Sequence, residues 1–117
     1  MDISFILSTD EIFTLMSIAR MRSAEGEAFI TEALADAEIC DLSGLVEKKF
    51  ARYTNGELSI DPIVRMIADS LAMAESIAIR EESWFVNAPW VSLIIQVCEY
   101  RKDHWKITPI QKGEADV

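Results

Sequence analysis

The chain is poor in the residues that staple, coordinate or catalyse. Its 117 residues include two cysteines and one histidine. Cys40 and Cys98 form no CxxC pair, so neither a disulfide framework nor a zinc site is expected. Both have apolar neighbours (Ile39; Ile95 and Val97), which predicts buried free thiols and suits a reducing, cytoplasmic setting. Four glycines and three prolines exclude collagen-like or linker character. The start, Met-Asp-Ile-Ser, lacks the basic region of a leader peptide. The longest charge-free apolar run, Val91 to Val97, is too short to span a bilayer, so no membrane partner is expected. Bases are scarce too. Eleven Lys and Arg stand against twenty Asp and Glu, a net charge of −9. The imbalance is local: Met1 to Glu47 holds ten acids and two bases, whereas Lys48 to Val117 is nearly balanced. Nucleic acids and anionic membranes are repelled by the first part and gain little from the second.

What is present suits one packed domain over residues 1–117. Half the residues are hydrophobic and mean hydropathy is +0.15, which excludes disorder. Residues 3–7 read as a short strand or apolar lead-in. Ser8-Thr9-Asp10-Glu11 is a capping box, and Ile12, Leu15, Met16 and Ala19 follow at helical spacing. A second helix is expected from Glu27 to Ala37 after a break at Arg20 to Gly26. A third is expected from Asp41 to Tyr53 on the stripe Leu42, Leu45, Val46, Lys49, Phe50 and Tyr53. Asn55-Gly56 predicts a tight, wing-like hairpin, because both central residues of a type I′ turn need positive φ. Asp61 as N-cap and Pro62 at the first helical position open a fourth helix ending near Glu75.

From Ser76 the pattern changes. Ser76 to Glu81 alternates as a half-buried strand should, and a loop holding Asn87-Ala88-Pro89 leads to Val91–Tyr100. That second run is apolar on both faces and reads as an interior strand needing cover on both sides, supplied by a partner or a second copy. Trp105 to Ile110 returns the chain, with Pro109 at a sheet edge or near the strand's end. The tail from Gln111 is polar. The fold class is therefore α+β: helices over about 8–75 with a wing-like hairpin, then an antiparallel meander over about 76–110.

Catalytic chemistry finds little footing. His104 beside Asp103 lacks a nucleophile in sequence reach. Glu81 and Glu82, adjacent on a strand, point to opposite faces. Glu25, Glu27, Glu32 and Asp36 lack the spacing of a calcium loop. Neither GxGxxG nor GxxxxGK[ST] occurs, so no cofactor is expected and the chain reads as non-enzymatic. The aromatic group Trp84, Phe85 and Trp90 supplies candidate protein-binding anchors. A winged-helix, DNA-binding regulator is the alternative, with Lys48, Lys49 and Arg52 as phosphate contacts, although the acidic charge makes nucleic acid an unfavoured partner.

Four segments carry a family resemblance: Leu7-Ser8-Thr9-Asp10-Glu11-Ile12, Leu45-Val46-Glu47-Lys48-Lys49-Phe50, Asn55-Gly56-Glu57-Leu58-Ser59-Ile60-Asp61-Pro62, and Trp105-Lys106-Ile107-Thr108-Pro109. In these the sequence resembles the EspG-like chaperones of type VII secretion. The resemblance implies a cytoplasmic, non-enzymatic chaperone that binds a small helical secretion substrate. The chain has about half the family's usual length, which comprises two similarly built halves, so a homodimer is the expected assembly.

Overall fold

The computed structural model describes residues 3–19 and 21–112. Met1, Asp2, Arg20 and most of the expected tail (113–117) lie outside the described residues. The order is β1 (Phe5–Ser8), α1 (Thr9–Ser17), α2 (Ala24–Ala33), α3 (Ser43–Glu47), β2 (Ala51–Thr54), β3 (Glu57–Ile60), α4 (Pro62–Ala72), β4 (Ser76–Arg80), β5 (Ser83–Asn87), β6 (Ser92–Val97) and β7 (His104–Ile110). β2 and β3 form a separate hairpin. The other strands make one antiparallel sheet in the order β1-β7-β6-β5-β4. This is the α+β class expected, except that the first strand joins the meander beside the last.

The local reasons are legible residue by residue. The Ser8 side chain accepts from the Glu11 N–H at 3.0 Å while the Glu11 carboxylate accepts from the Ser8 N–H at 2.8 Å, closing the capping box. Asp61 caps α4 through the Ile63 N–H at 2.8 Å, with Pro62 in the first turn. Asn55 (φ 54°) and Gly56 (φ 82°) make the β2–β3 turn.

Four expectations are corrected. α2 starts earlier than Glu27, because Ser23 caps it through the Gly26 N–H and also donates its hydroxyl to the Ala74 carbonyl at 2.6 Å. Gly26 does not interrupt this helix; it lets α2 lie on the end of α4, where a Cβ would sit 2.3 Å from the Ala72 carbonyl oxygen. α3 ends at Glu47, well short of Tyr53. Lys49 adopts φ 66°, and the Phe50 and Lys49 N–H groups return to the Leu45 and Val46 carbonyls at 2.8 and 3.0 Å, a Schellman stop that sends residues 51–54 into a strand. The expected loop after Glu81 is a strand, β5, reached through a two-residue Glu81-Glu82 turn with φ 48° and 68°. Glu81 and Glu82 are thus turn residues and not neighbours on a strand.

Among the described residues the helices cover one face of the sheet. Phe5, Leu7, Val86, Leu93, Ile95 and Ile107 point inward and join Ile12, Leu15, Met16, Phe29, Ile67 and Leu71 of the helices in one buried cluster. The Phe50 ring meets Phe5 at 5.3 Å, tying the β2–β3 side to β1. β6 is interior, with β5 and β7 on its two sides. Pro109 sits near the end of β7, past the stretch His104–Ile107 that pairs with β1. Cys98 is buried, Cys40 half-buried, and both are free thiols. Among the described residues no helix is long and apolar enough to cross a membrane.

Candidate functional site

Because side chains alternate along a strand, the register defines the sheet's other face in rows that run across it. The middle row is Ala78, Phe85, Ile94 and Thr108, continued by Ser4, whose hydroxyl bonds Thr108 at 2.8 Å. One flanking row is Arg80, Ser83, Gln96, Lys106 and Ile6. The other is Ser76, Asn87, Ser92 and Ile110, in which the Asn87 amide donates to Ser76 at 3.2 Å and accepts from Ser92 at 2.5 Å. Phe85, Ile94, Ile6 and Ile110 are half-buried and none belongs to the core cluster or packs against it.

The composition of these rows is unlike that of the whole chain. Among the described residues they contain no carboxylate and two cations, Arg80 and Lys106, in a chain with twenty acids. Phe85 and Ile94 are direct cross-strand partners, an aromatic against a β-branched side chain, which favours a fixed local surface. A half-buried apolar centre flanked by the buried Ser92 and Thr108 hydroxyls, by amides and by two bases, with Glu81, Glu82 and Glu99 beside Ser83, Gln96 and Lys106 at one end, has the make-up of a protein-docking surface.

The three aromatic candidates are not brought together. Trp84 and Phe85 are neighbours on β5 and so occupy opposite faces. Trp84 turns toward the helices and meets Phe29 edge-on at 5.1 Å. Phe85 is on the open face. Trp90 lies in the β5–β6 connection, 48% exposed. Beside it the Lys112 ammonium is held by the Ala88 and Pro89 carbonyls and by Glu75. Ile94 and Thr108 were not singled out from sequence. Their signal was the alternation of β6 against β7, which needs the register to be read.

Of the three basic candidates, Lys48 separates from the other two. Lys48 caps the end of α3 and its ammonium lies 2.6 Å from Glu11, with both side chains largely buried. Burial acts to raise the Glu11 carboxyl, but the Lys48 hydrogen bond, the Ser8 backbone N–H, the Lys48 charge and the Ser8 hydroxyl together hold it below the usual carboxylate value. Gly44 stands over the same carboxylate: a Cβ there would be 2.5 Å from Glu11 Oε2. Lys49 and Arg52 line a cleft between α3, the β2–β3 hairpin and the start of α4, shared with Asp61.

The His104 ring makes its Nδ1 contact with the Lys102 carbonyl at 2.8 Å, at the start of β7. Among the described residues no group of three or more His, Cys, Asp or Glu is placed to hold a metal ion. Comparison with protein-family models, with curated proteins and with solved structures finds no match.

Proposed function

We propose that the chain is a non-enzymatic, cytoplasmic protein-binding module of the chaperone or accessory kind, whose open sheet face receives a helix of its partner. The single observation that carries this reading is the half-buried apolar pair Phe85 and Ile94 on the face that the helices leave uncovered, set in rows that themselves hold no carboxylate. A sheet is stable when each apolar face is covered by another layer, and among the described residues helices cover one side alone. An amphipathic helix would supply the missing layer, its apolar stripe on Phe85 and Ile94 and its acidic flank toward Arg80 and Lys106. This matches the small helical secretion substrate implied by the EspG-like resemblance.

A homodimer would compete for the same surface: two copies stacked by this face would cover Phe85 and Ile94 on each other in place of a partner helix. DNA binding has weaker support, since Lys48 is engaged with Glu11 and α3 has only five residues.

The test is a pull-down from the native host's lysate with native chain and with Phe85→Lys, the complexes sized by light scattering. Phe85 is outside the core, so the variant should keep its far-UV spectrum. A stoichiometric small helical protein that is lost with Phe85→Lys supports the chaperone reading. A lone dimer that Phe85→Lys splits into monomers assigns the face to a second copy. Capture that survives the substitution, or DNA retention that falls steeply with salt, removes the reading.

A further inference from the structure

A second surface, independent of the open face, lies at the β4 edge. β4 ends the sheet, so among the described residues one side of its backbone has no strand partner. Proteins guard such edges with charges, proline or bulges. Ser76 to Ile79 carries none of these, and its register with β5 is unbroken from Ser76↔Asn87 to Arg80↔Ser83. The phase of the free groups follows from the turn. A two-residue turn closes with a bond between its flanking residues, which makes Arg80 and Ser83 a hydrogen-bonded pair. Alternation then directs Ala78 and Ser76 toward β5 and leaves the N–H and C=O groups of Ile77 and Ile79 facing outward.

A groove runs beside that edge. Ala28 and Phe29 of α2 face Ile77, Ile79 and Trp84 across a cavity of about 180 Å³. Ile79 is 55% exposed there. Glu25 and Glu32 also line the groove, and neither is ion-paired among the described residues. Seven residues apart, they share one side of α2 and stand about 10 Å apart along its axis.

We propose that this edge and groove bind an extended basic peptide as a sixth strand, with an apolar side chain over Ile79 and Trp84 and a Lys or Arg at each side of it. Backbone bonds to Ile77 and Ile79 would supply affinity, and the groove would select every second side chain. Cations two residues before and after the apolar anchor span about 13 Å, which flexible Lys or Arg stems can match to the two carboxylates. Charge decides against a second copy here. Two-fold pairing of β4 with β4 would bring the Glu25 and Glu32 of both copies to one seam, four carboxylates with no cation among the residues that line the two grooves. The net charge of −9 adds to the repulsion.

The probe is a fluorescein-labelled acetyl-Thr-Lys-Thr-Val-Thr-Lys-Thr-amide, with a Glu-for-Lys version as control. It is titrated by anisotropy and by Trp fluorescence against the native chain, Ile79→Pro and the Glu25→Lys/Glu32→Lys pair. Ile79→Pro removes an N–H that faces away from β5, so the sheet should persist. The expected result is salt-sensitive binding of the Lys peptide, about tenfold weaker with Ile79→Pro. The charge-reversed protein should prefer the Glu peptide, and hydrogen exchange of the Ile77 and Ile79 amides should slow on binding. Two results overturn the proposal: no Lys-peptide binding at millimolar concentration, or binding indifferent to all three substitutions. A concentration-dependent dimer that Ile79→Pro abolishes and Phe85→Lys does not also overturn it, because it gives the edge to a second copy.

Discussion

Replacing Glu11 by Gln should test whether the Glu11–Lys48 pair ties α1 to α3. Gln is close in size and its carbonyl oxygen can still accept from the Ser8 N–H, so the cap survives and only the charge is removed. Removing one partner of a fully buried pair costs 3–5 kcal/mol as a rule. Here Glu11 is nearly enclosed, but the Lys48 side chain is 17% exposed and can recover some hydration. The ion pair at 2.6 Å becomes a hydrogen bond from a charged ammonium to a neutral amide oxygen, a loss of about 1 kcal/mol. Part of the Lys48 desolvation is left unopposed, about another 1 kcal/mol. The expected cost is thus about 2 kcal/mol at pH 7, or a fall of about 8 °C in Tm for a chain of this size.

The sign of the pH dependence adds a second check. A carboxyl held below its usual value contributes stability above the ordinary carboxylate range, and this is lost as pH falls through the folded pKa. The native chain should therefore lose its lead over Glu11→Gln between pH 7 and pH 3. Lys48→Met leaves a buried carboxylate, which acid protonates, so that variant should lose less on acidification than the native chain. Urea denaturation at pH 7 and pH 3 measures all three, and the double variant Glu11→Gln/Lys48→Met gives the coupling. A cost below about 0.5 kcal/mol at pH 7, or an unchanged gap at pH 3, would refute the reasoning.

Gly26→Ala should destabilise by about 2 kcal/mol despite the gain in helix propensity, because the new Cβ would meet the rigid Ala72 and Leu71 carbonyls; thermal unfolding checks it. Glu81→Asn with Glu82→Gly should raise stability by about 1 kcal/mol, since both positions have positive φ and these residues suit a type I′ turn; chemical denaturation measures it. Lys49→Gly should add about 0.5 kcal/mol at the Schellman stop, whereas Lys49→Val should subtract more than that in the same assay.

The elements legible in the sequence were those with local chemistry at their ends. Ser8 with Glu11, Asn55-Gly56 and Asp61-Pro62 each satisfy or shape nearby backbone, so a few residues suffice to recognise them. The elements misread are those decided by strain or by tertiary contact. Lys49 and the Glu81-Glu82 pair occupy a backbone region that their types disfavour, held there by the surrounding structure, and nothing in their identity announces a turn. Missing that turn hid β5, and with it the fact that Trp84 and Phe85 face opposite ways. The aromatic cluster was therefore legible as composition and not as a surface. The start of α2 depended on contacts of Ser23 and Gly26 with residues about fifty positions later.

The charge asymmetry of the sequence becomes an asymmetry of layers. Met1 to Glu47, with ten acids and two bases, supplies β1 and the first three helices. The open face draws Arg80 and Lys106 from the later, nearly balanced part, and the first segment adds to its rows Ile6 of β1 and Ser4 just before it. Packed layers stand about 10 Å apart. The Debye length at physiological salt is about 8 Å. Salt screens the helical acids only along paths through solvent and not through the packed core. They stand a whole layer behind the open face, however, so a partner on its central rows meets Arg80 and Lys106 at shorter range, with Glu81, Glu82 and Glu99 beside Lys106 at one end. Whole-chain charge sets solubility and long-range repulsion, but it is a poor guide to the sign of this one surface. That separation does not spare the β4 groove, because Glu25 and Glu32 line it directly. One acidic chain can in this way present one face suited to an acidic helix and one edge suited to a basic strand.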